Sequence, residues 1–115
     1  MRIWALVSMT LLAGCAGPAM NSARQAGPVQ VLGSDKDPRQ VAECIQFSWQ
    51  DQRLFGATTD ALLDVHDADR YTVYTIGGTH FVDVQKGPGE VAVKFYSQNR
   101  DDTSRRRLAT VATCL

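Results

Sequence analysis

The chain opens on an apolar run. After Arg2, residues 3–12 are mostly hydrophobic, and the small residues Ala13 and Gly14 follow. A run of about ten residues is half of the ~20 that a helix needs to cross a bilayer. One early positive charge, a short apolar stretch and small residues at its end have the form of a secretory signal peptide over residues 1–14. Beyond it, residues 15–36 hold no sustained period. Gly17-Pro18, Gly27-Pro28 and Gly33-Ser34 punctuate scattered polar residues, which predicts a flexible tether. Within it, Val29-Gln30-Val31-Leu32 is long enough for an edge strand, although linker is the preferred reading.

A helical period begins at residue 37. Asp37 can cap, Pro38 suits the first turn, and Gln40 stands where a capping box needs it. Val41, Cys44, Ile45, Ser48 and Gln52 then fall on one face, with Trp49 and Phe55 beside it. Gly56 is the expected stop.

The period then changes to two. Tyr71–Ile76 is rich in β-branched and aromatic residues, Gly77-Gly78 signals a hairpin turn, and Thr79–Gln85 returns. Pairing across that turn sets Tyr74 opposite Phe81 and Val73 opposite Val82. A second turn at Gly87–Glu90 sets Lys86 opposite Val91, Val84 opposite Val93 and Val82 opposite Phe95. This register keeps the valines on one face, whereas a slip of one residue would bring Lys94 among them. Ala61–Val65 is either a fourth strand or an irregular lead-in. After cap candidates Asp101, Asp102, Thr103 and Ser104, the spacing of Leu108, Val111, Ala112 and Leu115 predicts a short last helix. The fold class is therefore α+β: an amphipathic helix, an antiparallel meander of three to four strands, and a C-terminal helix.

Composition narrows the classes. At 115 residues the chain has room for one small domain. Twelve basic residues balance twelve acidic ones, which gives no nucleic-acid footprint. Asp64-Val65-His66-Asp67-Ala68-Asp69 is the densest set of metal-ligand types, but it lacks the glycine hinge and distal Glu of a calcium loop and reads as a turn. His80 has no Ser, Asp or Cys placed by sequence to complete a triad. Arg105-Arg106-Arg107 reads as the solvated first turn of the last helix. No metal, no small-molecule cofactor and no catalytic residue is expected. The candidate binding face is Tyr74, Phe81 and Tyr96, which the register lines up in one row across three strands on the side opposite the valines.

Leu12-Ala13-Gly14-Cys15 resembles the lipobox of bacterial lipoproteins. The resemblance implies cleavage before Cys15, a covalent lipid on its thiol and an acylated new N-terminus. Ala16 after the cysteine resembles the default sorting to the outer membrane, with the domain facing the periplasm. The mature chain would then lose Arg2 and carry eleven basic against twelve acidic residues. With Cys15 lipidated, Cys44 and Cys114 remain as a pair in an oxidising compartment, and a disulfide between them is expected. The layout (1–14 signal, 15–36 tether, 37–115 domain) is similar to that of small proteobacterial lipoproteins, including the small subunit of the outer-membrane β-barrel assembly machine, although that family's Gly-rich helix-pair motif is missing here. The expected function is a non-enzymatic binding or scaffold module held at the membrane by its lipid, with an envelope protein as partner. The alternative is a periplasmic inhibitor of a secreted cell-wall hydrolase, whose lysozyme-directed relatives carry a Ser-Gly-x-x-Tyr loop that this chain lacks.

Overall fold

A computed structural model describes residues 16–51, 53–54, 57–58 and 60–115. The expected signal segment, Cys15, Gln52, Phe55 and the Gly56 stop lie outside the described residues. The architecture is α+β, with three helices and a five-stranded antiparallel sheet.

Two elements fill the stretch expected to be a tether, so that expectation is corrected. Helix α1 runs Ala16–Ala26 and strand β1 runs Gln30–Ser34. The glycines and prolines are the punctuation of these elements. Pro18 stands in the first helical turn, where its missing N–H has no intrahelical partner to lose. Gly27 adopts φ 101° just past the helix, and its N–H donates to the Ala23 carbonyl at 3.0 Å. That is a left-handed C-terminal stop, with Pro28 beyond it.

Helix α2, Pro38–Asp51, starts as its sequence signals. The Asp37 carboxylate accepts from the Arg39 N–H at 2.9 Å. Its inner face is Val41, Ala42, Ile45 and Trp49, all fully buried. Two short strands follow, β2 at Arg53–Leu54 and β3 at Ala57–Thr58, paired with each other.

The large sheet has the order β1-β7-β6-β5-β4, where β4 is Ala61–Asp67, β5 Arg70–Thr75, β6 His80–Lys86 and β7 Val91–Ser97. It exceeds the expected three to four strands because β1 pairs outside β7, from Gln30 opposite Phe95 to Ser34 opposite Val91. Both expected registers hold: Tyr74 faces Phe81, Val73 faces Val82, Val84 faces Val93 and Lys86 faces Val91. The first turn is wider than two residues. Gly77 and Gly78 take φ of 85° and 72°, and the Gly78 N–H donates to the Thr75 carbonyl at 2.8 Å. The Thr75 hydroxyl closes the base of the loop by donating to the His80 carbonyl and accepting from its N–H.

Helix α3, Asp102–Ala112, is capped by Asp101, whose carboxylate accepts from the Ser104 N–H at 2.9 Å. Its buried stripe is Ser104, Arg107 and Val111, continued by Cys114 beyond the helix. Of the apolar stripe that the spacing predicts, Val111 is buried and Leu108 and Leu115 pack against the core, while Ala112 faces solvent. The reading of Arg105–Arg107 as wholly solvated is therefore corrected at Arg107, which is only 2% exposed. The sulfurs of Cys44 and Cys114 stand 2.02 Å apart, at disulfide distance, and join α2 to the end of α3. The core lies between α2 and one face of the sheet, where Trp49 meets Phe95 edge to face and Tyr71, Val73, Val82, Val84 and Val93 complete the layer.

Candidate functional site

The other face of the sheet carries the candidate site. Strand alternation sends Thr72, Tyr74, Phe81, Asp83, Lys94 and Tyr96 to the side away from the core. The aromatic row forms as expected. The rings of Phe81 and Tyr96 stack with centroids 4.5 Å apart and planes 5° from parallel. The row is not exposed, however. Phe81 is fully buried, Tyr96 is buried and Tyr74 is half-buried, because α1 lies over them. Met20 and Ala23 cover the rings, and the Arg24 guanidinium sits 5.0 Å over the Phe81 ring. The expectation of a free binding face at Tyr74, Phe81 and Tyr96 is therefore corrected. A large apolar row seeks cover, and the stretch assumed to be linker supplies it. Burial raises the phenol pKa of both Tyr74 and Tyr96.

Two residues along each strand, at Thr72, Asp83 and Lys94, the same face turns polar and opens. A groove of about 380 Å³ is lined by Arg24, His66, Arg70, Thr72, Asp83 and Lys94, among others. At its centre the Asp83 carboxylate accepts two bonds from Arg24, from Nε and Nη2, each at 2.8 Å. It also accepts the Thr72 hydroxyl proton at 2.7 Å. His66 Nε2 lies 2.9 Å from the same hydroxyl oxygen. Because that hydroxyl gives its proton to Asp83, His66 Nε2 carries a proton and donates. The bond to Asp83 raises the pKa of Arg24. This network clamps α1 to the sheet.

The remaining candidates are placed as follows. In the acidic segment, Asp67 accepts from the Asp69 N–H at 2.9 Å and pairs with Arg70 at 2.7 Å, which holds its pKa below the ordinary carboxylate value. Only the end of the segment is a turn, at Ala68-Asp69, closed by the Asp67 side chain. Asp64, Val65 and His66 belong to strand β4, so the reading of the whole segment as a turn is corrected there. Among the described residues, no three His, Cys, Asp or Glu side chains gather as metal ligands. His80 is buried at the other end of the sheet, and burial, assisted by the charge of Arg107, lowers its pKa. Its Nε2 has no hydrogen-bond partner, nor has Nε of Arg107. Of the groove residues the sequence singles out only His66, and as a metal-ligand type; the expected register sets Asp83 opposite Lys94 and beside Thr72 on the non-core face.

No family model, no curated protein and no solved structure matches this chain.

Proposed function

We propose that the protein is a lipid-anchored lipoprotein of the bacterial envelope, facing the periplasm from the outer membrane, whose domain binds a protein partner without catalysing a reaction. The observation that carries this reading is the apolar run ending in Leu12-Ala13-Gly14-Cys15. Two features support it. A Cys44–Cys114 pair at disulfide distance suits an oxidising compartment. The open polar groove beside α1 offers an accessible surface with charged side chains on fixed strands, with Lys94 and His66 available to a partner.

Cell fractionation tests the anchor. In a Gram-negative host the wild-type chain partitions with outer membranes, and the mass of its N-terminal peptide shows acylated Cys15. Cys15→Ser keeps its signal segment and loses the lipid mass. An unmodified Cys15 in the wild-type chain overturns the proposal. For the partner, a photoreactive residue at position 94 in whole cells is expected to capture an envelope protein, while one at position 47 on the far side of α2 does not. Capture of a secreted cell-wall hydrolase instead selects the inhibitor reading.

A further inference from the structure

The polar groove has a charge pattern that the chain as a whole does not share. Twelve basic residues balance twelve acidic ones over the full sequence. The groove is lined by Arg24, Arg70 and Lys94 against one carboxylate, Asp83. Two of these cations already have partners: Arg24 is bound to Asp83, and Arg70 pairs with Asp67 at the rim. The Lys94 ammonium makes no hydrogen bond or ion pair among the described residues.

The register explains why. Lys94 of β7 stands between Asp83 of β6 and Val31 of β1. The Asp83 carboxylate already accepts two bonds from Arg24 and one from Thr72. Val31 offers no charge. The Glu90 carboxylate lies over Gly33, where an added Cβ would meet it, and does not pair with Lys94. Asp64 and Asp67 are on β4, three strands away, about 14 Å at a strand spacing of ~4.8 Å. Lys94 is also half-buried. A partly desolvated ammonium on a fixed strand gains more from a carboxylate than a fully exposed one does. Beside it the groove floor is Gln85 opposite Ala92, one side chain that gives and accepts hydrogen bonds and one that leaves room.

We infer that the groove takes an acidic segment of the protein partner, with an Asp or Glu carboxylate seated on Lys94. This rests on the partner reading above, whose chemistry it names, and makes no use of Cys15. Charge selects the occupant. A carboxylate meets the unpaired ammonium in the field of Arg24 and Arg70, whereas a basic segment would bring like charges together.

The probe is the full chain in whole cells of a Gram-negative host, with a photoreactive residue at position 85. Gln85 is exposed, lines the groove and is a diagonal cross-strand neighbour of Lys94. Irradiation captures an envelope protein, and the mass of the cross-linked peptide identifies a segment containing Asp or Glu. Lys94→Gln removes the charge and lowers capture about tenfold, while Lys94→Arg keeps it. Changing the acidic residue of the captured segment to Lys abolishes capture, an arm that stands even where Lys94→Gln fails the circular dichroism check of its fold. Capture that survives Lys94→Gln, falls equally in Lys94→Arg, or maps to a segment without Asp or Glu overturns the acidic occupant alone. No capture from position 85 or from position 94 overturns the acidic occupant and the partner reading together.

Discussion

Arg107 and His80 show how little compensates some buried polar groups in this chain. The Arg107 guanidinium stacks 5.2 Å over the Trp49 ring and donates from Nη1 to the Trp49 carbonyl at 3.2 Å. The Trp49 indole N–H returns a bond to the Arg107 carbonyl at 3.3 Å, so the two residues lock α2 and α3 reciprocally. No carboxylate among the described residues pairs with Arg107, and burial lowers its pKa. His80 feels that charge and its own desolvation, which hold its folded pKa below the value of a free imidazole. The consequence for stability has a definite sign. Above about pH 6.5 the imidazole is neutral folded and unfolded, and nothing is lost. As pH falls through that value the unfolded chain takes up a proton that the folded chain refuses, so stability falls until the folded pKa is reached. Urea midpoints at successive pH values should therefore drop on acidification, and His80→Asn should flatten the drop while keeping the backbone bonds to Thr75. Arg107→Met should flatten it in part, by removing the neighbouring charge. Identical pH profiles for wild type and His80→Asn would refute this account.

At the scale of elements, α1 is the weakly held piece. An isolated helix under about 12–15 residues is marginal in water, and α1 has 11. Its hold comes from Met20, buried to 7% exposure, from Ala23 and from the Arg24–Asp83 pair. Burying a Met side chain contributes about 1.5–3 kcal/mol. The ion pair is one-quarter to one-third exposed, so solvent screening limits it to about 1 kcal/mol. Met20→Ala combined with Arg24→Ala should therefore release α1. Amide hydrogens of residues 20–26 should exchange faster and a dye for apolar surface should bind the uncovered Phe81 and Tyr96 rings, while β6 and β7 amides remain protected. Unchanged protection in α1 would show that some other contact holds it. The same element marks the limit of what the sequence makes legible. The meander registers could be read because a slip would put Lys94 into the valine layer, a penalty visible in the sequence itself. Helix α1 could not, because Met20 is the one large apolar side chain on its inner face and its partners lie 48 or more positions away on β5, β6 and β7. Gly17-Pro18 and Gly27-Pro28 were visible, but the same residues punctuate linkers and short helices. The groove followed α1 into obscurity, since Asp83 acquires its role from Arg24. The buried position of Arg107 was hidden by its neighbours, Arg105 and Arg106, which made one inward-facing arginine look like a charged surface run.

The described residues are built on one five-stranded sheet with unequal cover on its two faces: α2 and α3 over the core, α1 alone over the aromatic row. The heavier side is closed by Cys44 and Cys114, 70 positions apart. A cross-link over a loop of that length removes denatured-state entropy worth about 4 kcal/mol. Total stabilities of small domains lie near 5–15 kcal/mol, so the loss is a large fraction of the whole. The bond also joins the two helices that meet at Trp49 and Arg107, so its removal acts where an unpaired guanidinium already costs stability. Reduction, or Cys44→Ser with Cys114→Ser, should lower the urea midpoint by the equivalent of about 4 kcal/mol. Amide exchange should rise first in α3, whose main packing partner is α2. Exchange in α1 should follow only with global unfolding, because its clamp of Arg24, Asp83 and Thr72 lies on the other face of the sheet. A midpoint that does not move on reduction would mean that packing of Val111, Trp49 and Ile45 alone fixes α3, and the two faces would then be independent of the cross-link.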